Sequence, residues 1–157
     1  EHLISPKESM LKTYNILKND GILIISVQNI DSLQFALCKP SWFHLDLPRH
    51  VLHFTPSTLK RFLNSSGFDV INIKHDSLQM NFFGWYQSLF NLLGFPKNLF
   101  YKTVKRENIW SEKNCLLLIL MLFIAPYVII LSSIFCIIEL VLKKGGVITA
   151  IARKKIR

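Results

Sequence analysis

The chain has 157 residues, half of them hydrophobic, with 19 Lys and Arg against 10 Asp and Glu for a formal net charge of +9; that length holds one domain with a sizeable core. The cations flank an apolar run instead of forming one patch, and no aromatic–basic interleaving of the single-strand-binding kind occurs, which excludes nucleic acid as the expected partner. Cysteines at 38, 115 and 136 form no CxxC pair, which excludes a disulfide framework or zinc ribbon and fits a reducing compartment.

Ser5-Pro6-Lys7-Glu8 is a helix start, with Ser5 as cap, Pro6 at the first helical position and Glu8 closing a capping box. Met10, Leu11, Tyr14 and Leu17 follow at helical spacing, and Asn19-Asp20-Gly21 ends the helix. Residues 22–27 are a continuous β-rich run, the pattern of a strand buried on both faces of a parallel sheet. Helix, tight turn and buried strand make half of a doubly wound α/β unit.

In open α/β sheets the carboxyl ends of strands face the ligand crevice, so the loop leaving Gln28-Asn29 starts on the functional side. That loop, from Ile30 to Phe54, carries Trp42, His44, Asp46, Arg49, His50 and His53 within twelve positions. Pro40 and Pro48 keep it out of regular helix or central strand. A loop with that much chemistry is expected to be a site.

Thr55-Pro56 opens a second helix with Leu59, Phe62 and Leu63 as its buried stripe and Gly67 as its stop. Residues 69–74 read as a more polar strand near a sheet edge, and 80–110 as aromatic, amphipathic helix in pieces. Residues 115–142 are nearly all apolar, and 145–154 form a last strand entered through Gly145-Gly146.

Several stretches resemble the carboxyl-terminal half of class I S-adenosylmethionine-dependent methyltransferases. Glu1-His2-Leu3 before Ser5-Pro6 looks like the family's EHL-x-x-P after its fourth strand, and LKNDGILIISVQN like the turn and fifth strand. The segment WFHLDLPRH with Phe54-Thr55-Pro56 is similar to the W-x-H-x-D-x-P-R-H…FTP signature of one branch, and GGVITAIARK to the closing antiparallel strand. The resemblance covers about residues 1–80 and 145–155 and implies strands five, six and seven of a Rossmann-like seven-stranded sheet, the last inserted between the other two. It also implies that Glu1 and His2 lie beside the cofactor. The family's cofactor-binding glycine loop has no counterpart, since no G-x-G occurs, and Gln28 stands where the family usually has proline. The chain, opening at Glu1 without Met, is read as a fragment, inactive alone, that does not bind S-adenosylmethionine unaided.

Three readings of the 42–53 loop compete. A metal site would use His44, Asp46, His50 and His53, but their spacing matches no known ligand motif. A structural reading pairs Asp46 with Arg49 and lets the histidines cap loop backbone. In the favoured reading the loop closes on the methyl acceptor, with His50 or His44 as general base, Arg49 holding an anionic substrate group, and Asp46 beside them.

The expected architecture is α/β, with a methyltransferase-like unit at 1–80, an aromatic helical insert at 81–114, an apolar helical hairpin at 115–142 broken near Pro126, and the final strand and basic tail at 143–157. A hairpin or in-plane anchor is expected at the cytoplasmic membrane face, because basic residues lie at both ends and the last strand must return to its sheet. The alternative is a buried helix pair capping the sheet, with Glu139 at an interfacial end in either case. The expected function is methyl transfer to a small or lipid-linked acceptor, a polysaccharide precursor or a quinone. Its rival is a non-enzymatic small membrane protein with an α/β cytoplasmic head.

Overall fold

In the computed structural model, residues 3–107 and 112–155 are described. Three strands, β1 (Ile22–Gln28), β2 (Phe68–Lys74) and β3 (Val147–Lys154), form one sheet in the order β1-β3-β2. β3 is antiparallel to both neighbours, with Ile22 opposite Arg153 and Gln28 opposite Val147 on one side. On the other side Phe68 faces Lys154 and Lys74 faces Thr149, with a register irregularity at 70–72. The last strand therefore inserts between the other two, as expected, and β2 is an edge strand.

The environment of β1 differs from expectation. Its described neighbour is antiparallel, and its outward residues Ile22 and Ile24 are 45% and 65% exposed while Val27 is buried. A run apolar from Ile22 to Ile25 and again at Val27 is compatible with one or two covered faces, so periodicity does not distinguish them.

Two helices cover one face of the sheet. α1 (Pro6–Ile16) and α3 (Pro56–Ser65) bring Met10, Leu59 and Leu63 onto Phe68, Ile148, Ala150 and Ala152. α3 starts as its sequence indicates: Thr55 Oγ1 accepts from the Thr58 amide, and Thr58 Oγ1 accepts from the Thr55 amide, a reciprocal cap stabilising by about 1 kcal/mol. The box expected at Ser5 and Glu8 does not form. Ser5 makes no side-chain cap, its ψ of 74° being off the extended cap geometry, and its carbonyl accepts from Ser9 Oγ instead. Gly67, at φ +91°, makes the turn into β2 with the Tyr14 ring against it.

The segment expected as loop contains a short helix, α2 (Leu33–Cys38), and two single 3-10 turns, Lys39–Ser41 and Phe43–Leu45. Ser32 caps α2 by accepting from the Phe35 amide, a signal masked in the sequence by the prolines that follow. Beyond β2 come α4 (Leu78–Leu92), which crosses the expected 80/81 boundary, and α5 (Leu99–Val104).

The apolar run is one helix, α6 (Glu112–Leu142), with Pro126 inside it and no hairpin. It runs antiparallel to α4: Met121 and Val128 pack with Phe90 and Leu99, Phe135 stacks on Trp85 at 4.5 Å, and Cys136 lies by the Leu78 carbonyl. A proline in a helix interior costs about 3 kcal/mol. Packing along most of α6 outweighs that. Glu139 is not at an interface; it is fully buried. Most of the opposite face, including Ile119, Phe123, Ile130, Ile137 and Val141, is exposed. By length and composition, Asn114–Leu142 is sufficient to cross a membrane.

Candidate functional site

Ser26, Val27 and Gln28 bring β1 to its carboxyl end, and there a cleft of about 620 Å³ opens. The four candidate residues, His44, Asp46, Arg49 and His50, all line it. These loop residues therefore share one cleft with the carboxyl end of β1.

His44 is buried and its Nε2–H donates to the Met80 carbonyl at 3.2 Å, tying the loop to the start of α4. Asp46 sits in the left-handed region at φ 32°, and its carbonyl accepts from the Arg49 and His50 amides at 2.9 and 3.1 Å. This turn points three side chains the same way. Arg49 Nε donates to Asp46 Oδ2 at 2.7 Å, and Arg49 Nη2 pairs with the same oxygen. His50 Nδ1–H donates to the His44 carbonyl at 2.8 Å, and its Nε2 lies 4.0 Å from Asp46 Oδ2. Each ring thus commits one nitrogen to a backbone carbonyl, His44 its Nε2 and His50 its Nδ1. His53 is not part of the lining; its Nε2–H donates to the Leu45 carbonyl at 3.2 Å. The Asp46–Arg49 pairing and the histidine-to-backbone bonds of the structural reading are thus present, inside the cleft that the functional reading requires.

Sequence reasoning missed the opposite wall. Gln79, Met80 and Phe83 of α4, and Tyr101 and Lys105 at α5, complete the lining. The aromatic density of FFGWY was the available signal, but nothing in it said which ring faces a cleft. Phe43, Phe83 and Tyr101 meet edge to face at centroid distances of 5.1 to 6.2 Å. Lys105, first counted as a flank of the apolar run, has its Nζ 4.7 Å above the Tyr101 ring.

Behind the cleft lies a buried polar network with no sequence signal. Trp42, fully buried, donates from Nε1 to Gln34 Oε1 at 3.0 Å. Gln34 Nε2 donates to the Asn81 carbonyl and to Glu139 Oε2, and the Gln34 amide donates to Glu139 Oε1. Burial pushes the Glu139 carboxyl up to about 7, against the opposing pull of the Gln34 bonds. Gly84 is required here: a Cβ would lie 2.4 Å from Gln34 Oε1 and 2.6 Å from His44 Nε2.

No protein-family model matches this chain, and no curated protein does. The site therefore rests on its geometry. Among the described residues there is no group of three or more His, Cys, Asp or Glu placed to hold a metal ion. Glu1 and His2, expected beside the cofactor, lie outside the described residues. No G-x-G occurs in the sequence.

Proposed function

We propose that residues 1–157 form the carboxyl-terminal part of a class I S-adenosylmethionine-dependent methyltransferase, acting at a cytoplasmic membrane face on a small or lipid-linked acceptor such as a polysaccharide precursor or a quinone. In this reading β1, β2 and β3 are the fifth, sixth and seventh strands of a seven-stranded Rossmann-like sheet. One observation carries it: β3 lies between β1 and β2, antiparallel to both, with a cleft at the carboxyl end of β1 walled by His44, Asp46, Arg49 and His50. The loop holds the acceptor, Arg49 fixes an anionic group on it, and His50 Nε2 takes the proton its nucleophile gives up.

α6 supports the membrane part. No charged residue occurs between Asn114 and Glu139, and its outer face is apolar and exposed. Because α6 is held along α4, it lies in the membrane plane on that outer face in this proposal, and does not cross.

The test uses two proteins: residues 1–157, and the protein as encoded with whatever precedes Glu1. The encoded protein is expected to bind S-adenosylmethionine in calorimetry and to methylate a component of membrane extracts, and residues 1–157 to do neither. Tight binding by residues 1–157 alone, or none by the encoded protein, overturns the assignment. The second outcome favours a non-enzymatic membrane protein, a reading supported by the internal pairing of Asp46 with Arg49.

A further inference from the structure

The lining of the cleft is asymmetric in a way that specifies a ligand. One end is apolar and aromatic, built from Phe43, Phe83 and Tyr101 with Met80 beside them. Such rings accept a flat apolar body against their faces or edges. Among the described residues the other groups include two cations, Arg49 and Lys105, against one carboxylate, Asp46. That carboxylate is satisfied by Arg49 through two nitrogens, so among the described lining residues the balance is positive, carried by Lys105. Tyr101 joins the two regions, with its ring in the aromatic trio and Lys105 Nζ above it. The walls are also rigidly supported. The Phe43 amide donates to Ser88 Oγ at 2.8 Å, and the Tyr101 amide donates to Gln87 Oε1 at 3.1 Å, so both rings are positioned from α4.

We propose that the cleft binds an aromatic anion, a ring carrying a carboxylate, with the ring among Phe43, Phe83 and Tyr101 and the carboxylate between Arg49 and Lys105. That this ligand is the methyl acceptor rests on the methyltransferase reading; the binding itself does not. A neutral sugar fits less well, because an aromatic wall leaves ring hydroxyls without partners. A bare inorganic anion leaves the aromatic end unused.

Residues 1–157 are titrated calorimetrically with 2-naphthoate, 2-naphthalenemethanol and acetate. Naphthoate is expected to bind, with the alcohol and acetate each weaker by about tenfold or more, as for loss of a charge-assisted hydrogen bond or of the ring contacts. The double variant Arg49→Gln/Lys105→Gln is expected to weaken naphthoate about tenfold or more and to leave the alcohol unchanged. Lys60→Gln, on α3 away from the cleft, should change neither. Circular dichroism confirms that each variant is folded. Equal binding of naphthoate and the alcohol, naphthoate binding insensitive to the double variant, or no naphthoate binding at all overturns the proposal. None of these results touches the cofactor experiment on the encoded protein, so the two proposals fail separately.

Discussion

Gly84 is where the cleft and the interior behind it constrain each other. Adding one methyl drives atoms into both Gln34 and His44, so Gly84→Ala is expected to destabilise by about 2 kcal/mol in urea unfolding. Arg49 behaves differently: its side chain is 52% exposed, so Arg49→Ala should cost under about 1 kcal/mol. On the proposed methyltransferase reading, His50→Ala in the encoded protein should reduce turnover about 100-fold, the scale of a lost general base, while losing only about 1 kcal/mol for its bond to His44. A large drop in melting temperature with turnover per folded molecule intact would return both residues to a purely structural role. The thiols give a check on burial. Cys38 is buried and its thiol is pushed up to about 11 by that burial, and Cys136 is buried and shifted upward for the same reason. Only the exposed Cys115 should react promptly with a thiol reagent at neutral pH, and fast labelling of Cys38 would contradict its packing against Trp42. The loop side of the cleft was legible because its residues are adjacent in sequence and chemically conspicuous. Lys105 and Gln34 were not, because their positions depend on how helices fold back, which local spacing does not encode.

At the scale of elements, α3 and α6 show what local signals decide. Thr55, Pro56 and Gly67 mark both ends of α3, and no competing long-range contact disturbs them. Pro126 is an equally strong local signal for a break, yet α6 continues through it because α4 supplies a packed face on both sides of the proline. Glu139 gives this packing a pH signature. The folded chain keeps the proton up to about pH 7, whereas an unfolded carboxyl releases it near 4.5. Between those values the folded state binds more protons, so stability falls as pH rises and levels off above about 7. The loss attributable to Glu139 is about 3 kcal/mol. Thermal melts of wild type and Glu139→Gln from pH 4 to 8 isolate it, since the difference between them should change through this window and stay flat above it. The exposed side of α6 is tested by co-sedimentation with anionic vesicles. Wild type should pellet, and Phe123→Lys/Ile130→Lys should remain in solution with unchanged circular dichroism. Placement in the plane predicts that Cys115 and a probe at Lys155→Cys are labelled from the same side of sealed vesicles. Labelling from opposite sides would establish a crossing helix.

For the whole molecule, the arrangement of the three strands was readable only because the order of sequence pieces resembled a known family; strand propensity alone does not say that residues 147–154 belong between 22–28 and 68–74. The two-sided burial expected of β1 failed for the complementary reason, since its cover depends on what lies against Ile22 and Ile24 and not on the strand itself. Because β1 and β2 each pair with β3 in the order β1-β3-β2, truncation after Gly146 should remove the sheet, abolishing cooperative unfolding and the strand signal in circular dichroism.

The same arrangement sets an order of events during synthesis. When β1 leaves the ribosome, the strand it will pair with has not been made; about 120 residues must follow, taking on the order of ten seconds. In that interval α6 emerges complete, before β3 exists to anchor its carboxyl end. The nascent chain therefore presents its most apolar segment with the sheet still open, and α4, already made, is the surface of its own fold that can cover one side of it.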